Sequence, residues 1–460
     1  MRRSVTSLLL ISALLMILCT GSAGSADDTS KSLLQQGLTG GNSYVDCPQQ
    51  SNAQAMSPEN GPVTLNVTGW ISTPAEDALV QQNLARFERL HPNIRLKWLP
   101  ISGNGYDYSA KVLSNMASDN APDVFYLESR TASYFIAHDK LLNLSPYMAR
   151  DHIKASDYYS SLMAAFSCRT GQVFGIPKDW NALGLFYNKR LFREAGVAFP
   201  TSTWTWADMR AAARKLTHVR SSTPVYGISL PADSSRWLAF LFADGGSVLN
   251  ADGTQAVFND RAGVDALDFY AGFQRQDKSS ILPSALVPAW DGDVLQAFGE
   301  ERTAMALEGG WLIPYLTQNF SHVDYGIAPI PLAPAGKRGN LIFMNAWAAY
   351  AGTRHPEAAW ELIKYMTGQE VQGSQLHAGF ALPSLRSLAN DAYFEQHPAL
   401  KVLFDAASYG YVDVYGPDDL FIHQKLDLAI ASVLSGKADA QIALDVAARQ
   451  INVQLQASSP

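Results

Sequence analysis

Val63, Leu65 and Val67 alternate with polar residues, the period-two signature of a half-buried strand. Leu79, Leu84, Phe87 and Leu90 then recur at helical spacing until His91-Pro92-Asn93 stops the helix. Ile94, Leu96 and Trp98 return to alternation, a second helix is expected around residues 110–116, and an apolar strand over 123–127. That run is βαβαβ, which predicts a parallel sheet covered on both faces. After Leu183 the pattern restarts, with an apolar strand over 182–187, a helix over 206–216, a strand over 225–230, and helices over 237–243, 262–274 and 293–300. The last third reads as helical over 357–365, 399–407 and 425–434, with Gly436 closing the final helix. The fold class is α/β, with no internal repeat.

Composition changes this picture in one respect: with 460 residues, 47% of them hydrophobic, the chain exceeds what one core of about 250–300 residues holds, so two domains are expected. Formal net charge is 35 − 42 = −7 with no long basic run, which excludes nucleic acid as a natural partner. Residues 1–26 carry Arg2 and Arg3, an apolar stretch over 8–18 and a small-residue run over 21–26, the shape of an export signal too short to span a bilayer. Cys19 ends the apolar stretch where bacterial lipoproteins carry an acylated cysteine, although Leu18 stands where that motif takes a small residue, and simple cleavage near residues 23–26 is the equal alternative. Residues 27–61, rich in Ser, Gln, Asn and Gly, read as a flexible spacer. Cys47 and Cys168 remain as an even pair, either bridged or both free.

Candidate chemistry points to binding. The chain holds no G-x-S-x-G elbow, no H-E-x-x-H, no P-loop and no G-x-G-x-x-G, and its nine histidines never fall at metal-ligand spacing, so neither a catalytic residue nor a metal site is expected. A glycosidase carboxylate pair is defined by distance in space, so a secreted sugar-active hydrolase stays open as an alternative. A sugar ring offers an apolar face and an equator of hydroxyls, which calls for a flat aromatic ring and short directional polar groups. Trp311 follows Gly309 and Gly310, which let backbone approach a ligand closely; a Trp packed under a tight turn is the plainer reading. Asp179, Trp180 and Asn181 form a polar-aromatic tripeptide that looks exposed at a strand start. Trp70 follows the first strand, with Glu76 close behind in an acidic first helical turn that also matches the helix dipole. Trp237, Trp290 in a loop, and Trp347 are further ring candidates, whereas Trp360 inside an amphipathic helix reads as core.

Several longer words share one likeness. GIPKDWNALGLFYNKRLFREAGVAFP over 175–200, APDVFYLES over 121–129, FADGGSVLNADGTQAVFND over 242–260, AMALEGGWLIPYL over 304–316, DYGIAPIPLAPAGKRGN over 324–340 and HPEAAWELIKYMTGQEVQ over 355–372 together resemble family 1 extracellular solute-binding proteins of the maltose- and trehalose-binding type, the sugar-capturing subunits of bacterial ABC importers. The resemblance runs from about residue 63 to about 434. It implies a two-lobed type II periplasmic-binding-protein fold, each lobe a sheet flanked by helices with the ligand cleft between them, and chain crossings near Ala182, near Asn345 and around 406–413. Lobe 1 would then comprise 62–182 and 347–406, and lobe 2 would comprise 183–346 and 407–456. The same likeness puts Gly310 and Trp311 at the cleft, Asp123 where a turn opens onto it (a turn-capping Asp is the alternative), Asn345 at a crossing, and Arg386 in a loop that supplies an Arg to sugars in some relatives, although Leu385 interrupts the usual Pro-Ser-Arg order. The implied function is capture of a di- or oligosaccharide outside the cytoplasm by a monomer. It needs no cofactor, and the sugar passes to membrane permease subunits in the periplasm or at the outer face of the cytoplasmic membrane. A glycerol-3-phosphate or glycerophosphodiester binder of the same family is the alternative ligand class.

Overall fold

The computed structural model describes residues 45–48, 61–70, 73–102, 105–118, 120–218, 224–281 and 292–458. Cys19, Trp290 and nearly all of the expected signal and spacer lie outside the described residues. In chain order the strands are β1 (Val63–Thr68), β2 (Ile94–Trp98), β3 (Val124–Glu128), β4 (Gly175–Ala182), β5 (Gly184–Asn188), β6 (Ile228–Ser229), β7 (Ser280–Ile281), β8 (Met305–Glu308), β9 (Tyr325–Ala328), β10 (Asn340–Ala349) and β11 (Gly410–Val412). They form two sheets flanked by helices, one in the order β11-β10-β3-β1-β2 with β4 also on β10, the other β7-β6-β8-β5-β9.

The first sheet is mixed. β1 is parallel to β2 and β3 as the βαβαβ pattern predicts, but β10 runs antiparallel to both β3 and β4. Because β4 pairs with residues 342–348 of β10 while β11 and β3 pair with 340–342 and 345–349, β4 must take one edge of β10 and the other two strands share the opposite edge. β10 is therefore the central strand of this sheet.

Local chemistry sets the helices that flank the two sheets. Pro74–Leu90 begins five residues before the first apolar position because Thr73 Oγ1 accepts from the Glu76 amide at 3.2 Å and Pro74 fixes the first turn. Trp206–Leu216 keeps its expected bounds: Thr205 and Asp208 cap each other reciprocally. Ser234–Ala243 is buried along its whole length, and Asp419–Leu434 is followed past Gly436 by a further helix, Ala440–Ser458, whose buried residues recur every three or four positions.

The polypeptide changes sheets at three adjacent places. Ala182 packs in the first core and Leu183 in the second; Leu341 packs in the second and Ile342 in the first; Val414 packs in the first and Tyr415 in the second. The seam in β10 thus lies four residues before Asn345, since β10 belongs to the first sheet from its start. Asn340 fastens it: its buried amide donates to the Leu183 carbonyl at 2.7 Å and accepts from the Leu183 amide at 3.0 Å. Gly184 is a steric requirement there, because a Cβ would sit 2.6 Å from Ile327 and 2.8 Å from Leu403. Leu403 belongs to Pro398–Asp405, so this helix, expected inside lobe 1, touches both sheets across the seam.

Cys47 and Cys168 form a disulfide, which closes 121 residues and pins the segment 45–48 to the turn ahead of β4. The Arg169 amide donates to the Val45 carbonyl at 2.9 Å beside it. A bridge across so long a loop stabilises chiefly by restricting the unfolded chain. Replacing both cysteines by serine is expected to lower unfolding stability by about 2–4 kcal/mol, and adding reductant to the unaltered protein should reproduce the loss in a denaturant titration.

Candidate functional site

Sequence propensity does not favour a strand at Gly175–Ala182, yet every residue of β4 is buried. Pairing with β10 holds it, and the ladder has one irregularity. Asn345 faces Asp179 while Ala346 faces Pro177, so Lys178 is the extra residue of a β-bulge. The bulge turns two consecutive side chains, Lys178 and Asp179, toward the same opening, which a regular pleat forbids. Alternation then resumes, with Asn181 facing the opening and Trp180 facing away.

That opening is a cleft enclosing about 520 Å3 of empty space, part of it open to solvent. Its floor is the β4–β10 strip, which contributes Lys178, Asp179, Asn181, Phe343 and Asn345. One wall comes from beyond the C-terminal end of β1, with Trp70, Thr73 and Glu76, the place where open α/β sheets take ligands. The other wall carries Trp311 and Pro314, and the loop bearing Phe380 and Ala381 closes the rim. Hydrogen-bonding groups thus cluster on the floor and first wall, and apolar surface on the second wall and rim.

Each polar group is held in place. Lys178 is ion-paired with Asp179 Oδ2, and Asn345 Nδ2 donates to Asp179 Oδ1 at 3.2 Å. The Lys178 ammonium also stands 4.5 Å from the Tyr126 ring centre. Burial, then the charges of Glu76 and Asp179, push the Tyr126 hydroxyl well above the usual tyrosine range. Asn181 Oδ1 accepts from the Gly310 amide at 2.8 Å, linking β4 to the opposite wall. Trp311 lies back over Gly309, where a Cβ would meet the indole at 2.3 Å; its Nε1–H donates to Glu308 Oε2 at 2.8 Å and Phe343 meets it edge-on at 5.3 Å.

Of the sequence candidates, Trp70, Glu76, Asp179, Asn181, Trp311 and Asn345 line this one cleft, and Gly310 touches it through its bond to Asn181. The others lie elsewhere. Trp180 is fully buried, donates to the Pro383 carbonyl at 2.9 Å and packs on Phe404, because strand alternation turns it away from its two neighbours. Nor is the tripeptide at an exposed strand start, since it sits inside β4. Trp237 is enclosed in the second core by a helix with no exposed face, and Trp347 is enclosed under Tyr126 at 4.4 Å. Asp123 does not line the cleft: its carboxylate accepts from the Asn66 amide at 2.8 Å and from Thr353 Oγ1 at 2.6 Å, which ties the start of β3 to β1 and to the turn after β10. Arg386 is exposed in a short 3-10 turn away from the cleft, and Trp290 lies outside the described residues. Thr73, Lys178, Phe343, Pro314, Phe380 and Ala381 were missed. Two of these had a signal, since Lys178 directly precedes the tripeptide and Phe343 stands two residues before Asn345 on the same strand face.

Residues 82–402, well over half the chain, match the family model for bacterial extracellular solute-binding proteins. The chain belongs to that family. It is 22% identical over 259 residues to a Brucella abortus binding protein, covering 56% of this chain but only 61% of that protein's length. To the galactooligosaccharide-binding protein of Bacillus subtilis it is 24% identical over 290 residues, 62% of this chain and 67% of the relative. Among solved structures, a substrate-binding protein of Listeria monocytogenes in complex with cycloalternan superposes with a TM-score of 0.78 at 23% identity, covering 86% of this chain and 99% of that one. The shared architecture is the two-lobed fold of maltose-binding-type proteins. Membership of an extracellular family implies export, and among the described residues no helix is long and apolar enough to cross a membrane.

Behind the second wall, this solute-binding protein carries a chain of polar contacts. Arg236 bonds Glu308 and Asp233 at 2.8 Å each, and the Ser234 amide donates to Asp427 Oδ1 at 2.7 Å. His423 Nδ1 lies 3.0 Å from Ser234 Oγ and its Nε2 3.2 Å from Asp413 Oδ2, which Arg130 approaches at 3.5 Å from the first lobe. Donor atoms of Asp413, Asp419 and His423 lie within 4.8 Å of one another, a spacing a cation would accept, but the Arg130 guanidinium already supplies positive charge there. Burial and the Asp233 charge push the Asp427 carboxyl up to about 6. The folded state therefore holds a proton there that the unfolded chain, titrating near 4, has released, so this group's contribution is full below pH 4 and is lost as pH rises through 6. Asp427→Asn, which keeps an acceptor for Ser234, should gain stability relative to the unaltered protein between pH 4 and 7. The difference should reach about 1–2 kcal/mol after allowance for partial solvent contact, read from denaturant unfolding at each pH.

Proposed function

We propose that this chain is the extracytoplasmic carbohydrate-binding subunit of an ABC importer, closing its two lobes over a di- or oligosaccharide and presenting it unchanged to permease subunits. The observation that carries this reading is the division of one cleft into a polar floor and first wall, with Asp179, Asn181, Asn345 and Glu76, and an opposing wall and rim that present Trp311 and Phe380. A sugar ring has that division: hydroxyls around the equator and a C–H face that covers an indole. The named relatives that bind a galactooligosaccharide and cycloalternan support the ligand class.

Electrostatics argue against the phosphate-bearing alternative. Two carboxylates, Glu76 and Asp179, against one ammonium, Lys178, leave the lining at −1, and Lys178 is already paired. Arg386, the cation that alternative required, points to solvent elsewhere. Hydrolysis is poorly served too, because Lys178 and Asn345 occupy both oxygens of Asp179. In this reading the protein is exported, acts as a monomer without a cofactor, and reaches the membrane only through whatever anchors its leader.

A thermal-shift screen over neutral mono-, di- and oligosaccharides is the direct test. A ligand at 100 times its dissociation constant should add about 2.7 kcal/mol to stability, while glycerol-3-phosphate should add nothing. Trp311→Ala should remove the shift and leave the ligand-free protein folded. A panel without any shift, or a shift untouched by this substitution, would refute the reading.

A further inference from the structure

We propose that Glu308 and Arg236, neither of which lines the cleft, are positioning residues that set the tilt of Trp311 and thereby the affinity for a ring-shaped ligand; this rests on the carbohydrate reading above. Glu308 ends β8 with no solvent exposure, and Arg236, on the first turn of Ser234–Ala243, is 2% exposed. A buried ion pair is a poor stabilising device, since desolvating the two charges offsets most of their attraction and an apolar pair of similar volume does as well. Some other role must account for it. One carboxylate oxygen of Glu308 accepts two donors at once, Arg236 Nη2 and Trp311 Nε1, each at 2.8 Å.

The rest of the arrangement leaves the indole few other settings. Arg236 is itself fixed by Asp233 Oδ2 at 2.8 Å and Ser235 Oγ at 2.9 Å, so the oxygen that receives the indole is referenced to a capped helix terminus. Its guanidinium carbon lies 5.9 Å from the Trp311 ring centre, and Gly309 lacks the Cβ that would push the ring outward. A charge-assisted bond on the ring edge fixes rotation about the indole's long axis, which aromatic packing against Phe343 alone leaves soft. Sugar stacking needs that angle held, because a tilted ring loses the face-to-face area that gives the contact its energy.

The test uses the full protein and the double variant Arg236→Met/Glu308→Leu, which removes both charges together; Asp233, which loses Arg236, keeps its bonds from the Ser235 amide and hydroxyl. Glu308→Gln, which retains an amide acceptor for the indole, serves as the conservative control. The Trp311 indole N–H resonance is identified by its loss in Trp311→Phe. In the double variant this N–H is expected to exchange with solvent at least tenfold faster, and affinity for the sugar that shifts the unaltered protein to fall about tenfold, with the melting temperature changed by only a few degrees. Glu308→Gln should recover most of both. A folded double variant with unchanged indole exchange and unchanged affinity would overturn the proposal. If the double variant does not fold, Glu308→Gln decides by the same two readouts against Glu308→Ala. If no sugar binds the unaltered protein, the carbohydrate reading fails by itself and the indole exchange still decides whether Glu308 positions Trp311.

Discussion

The antiparallel pairing of β4 with β10 is the constraint on which both the fold and the cleft depend. Both strands are almost wholly buried, and both connect directly to the second lobe, β4 through Leu183 and β10 at its first residues. A ladder of this kind satisfies its backbone internally, so it can run through the molecule where a loop would strand polar groups. The consequence for chemistry is immediate. Charged and amide side chains on the strip are desolvated by folding, and they partner one another, Lys178 with Asp179 and Asn345 with Asp179, before any ligand arrives. A guest therefore meets groups already oriented, which reduces the ordering cost of binding.

How much of this was legible depended on whether local sequence or tertiary pairing decided each element. Trp206–Leu216 was legible to the residue because its caps are local, Thr205 and Asp208. Gly175–Ala182 was not, since Gly, Pro, Lys, Asp and Asn in eight residues argue against a strand and only β10 makes it one. That single miss explains two errors of placement. Had the segment been read as a strand, period-two alternation would have separated Trp180 from Asp179 and Asn181, although the bulge that brings Lys178 to the same side leaves no trace in an isolated sequence. Trp237 failed for another reason: every residue of its helix is buried, so no amphipathic pattern distinguishes a cleft ring from a core ring. Ala440–Ser458, by contrast, has a readable period of buried residues, and Gly436 closes only the helix before it.

Rings other than Trp were the remaining blind spot. Phe343 and Phe380 are ordinary residues by composition, and only geometry gives them a role: β10 places Phe343 against Trp311, and a two-bond bridge between Trp180 and Leu382 draws the loop carrying Phe380 to the rim. The same bridge shows why Trp180 matters even though it never faces the cleft. Its ring fills the space behind β4 while its backbone holds the rim loop, so one residue supports two layers of the site.

The form of lobe motion follows from the crossings themselves. Three chain passages lie side by side, and two of them, β10 and β11, are hydrogen-bonded in parallel register, while Asn340 joins the third by gripping both backbone groups of Leu183. Sliding one passage along another would break those bonds together, whereas rotation about an axis across the strip spreads small torsional changes over a few residues and breaks none. Lobe closure in a chain joined this way would be a hinge and not a shear. Arg130 lies in the first lobe between Phe343, at 5.6 Å on the cleft side, and Asp413, at 3.5 Å beside the third crossing. Asp413 and Arg130 both lie on the first-lobe side of that crossing, whereas His423, 3.2 Å from Asp413, sits on a helix packed in the second core, so a rotation of the second lobe would carry His423 relative to the Asp413–Arg130 pair that backs Phe343.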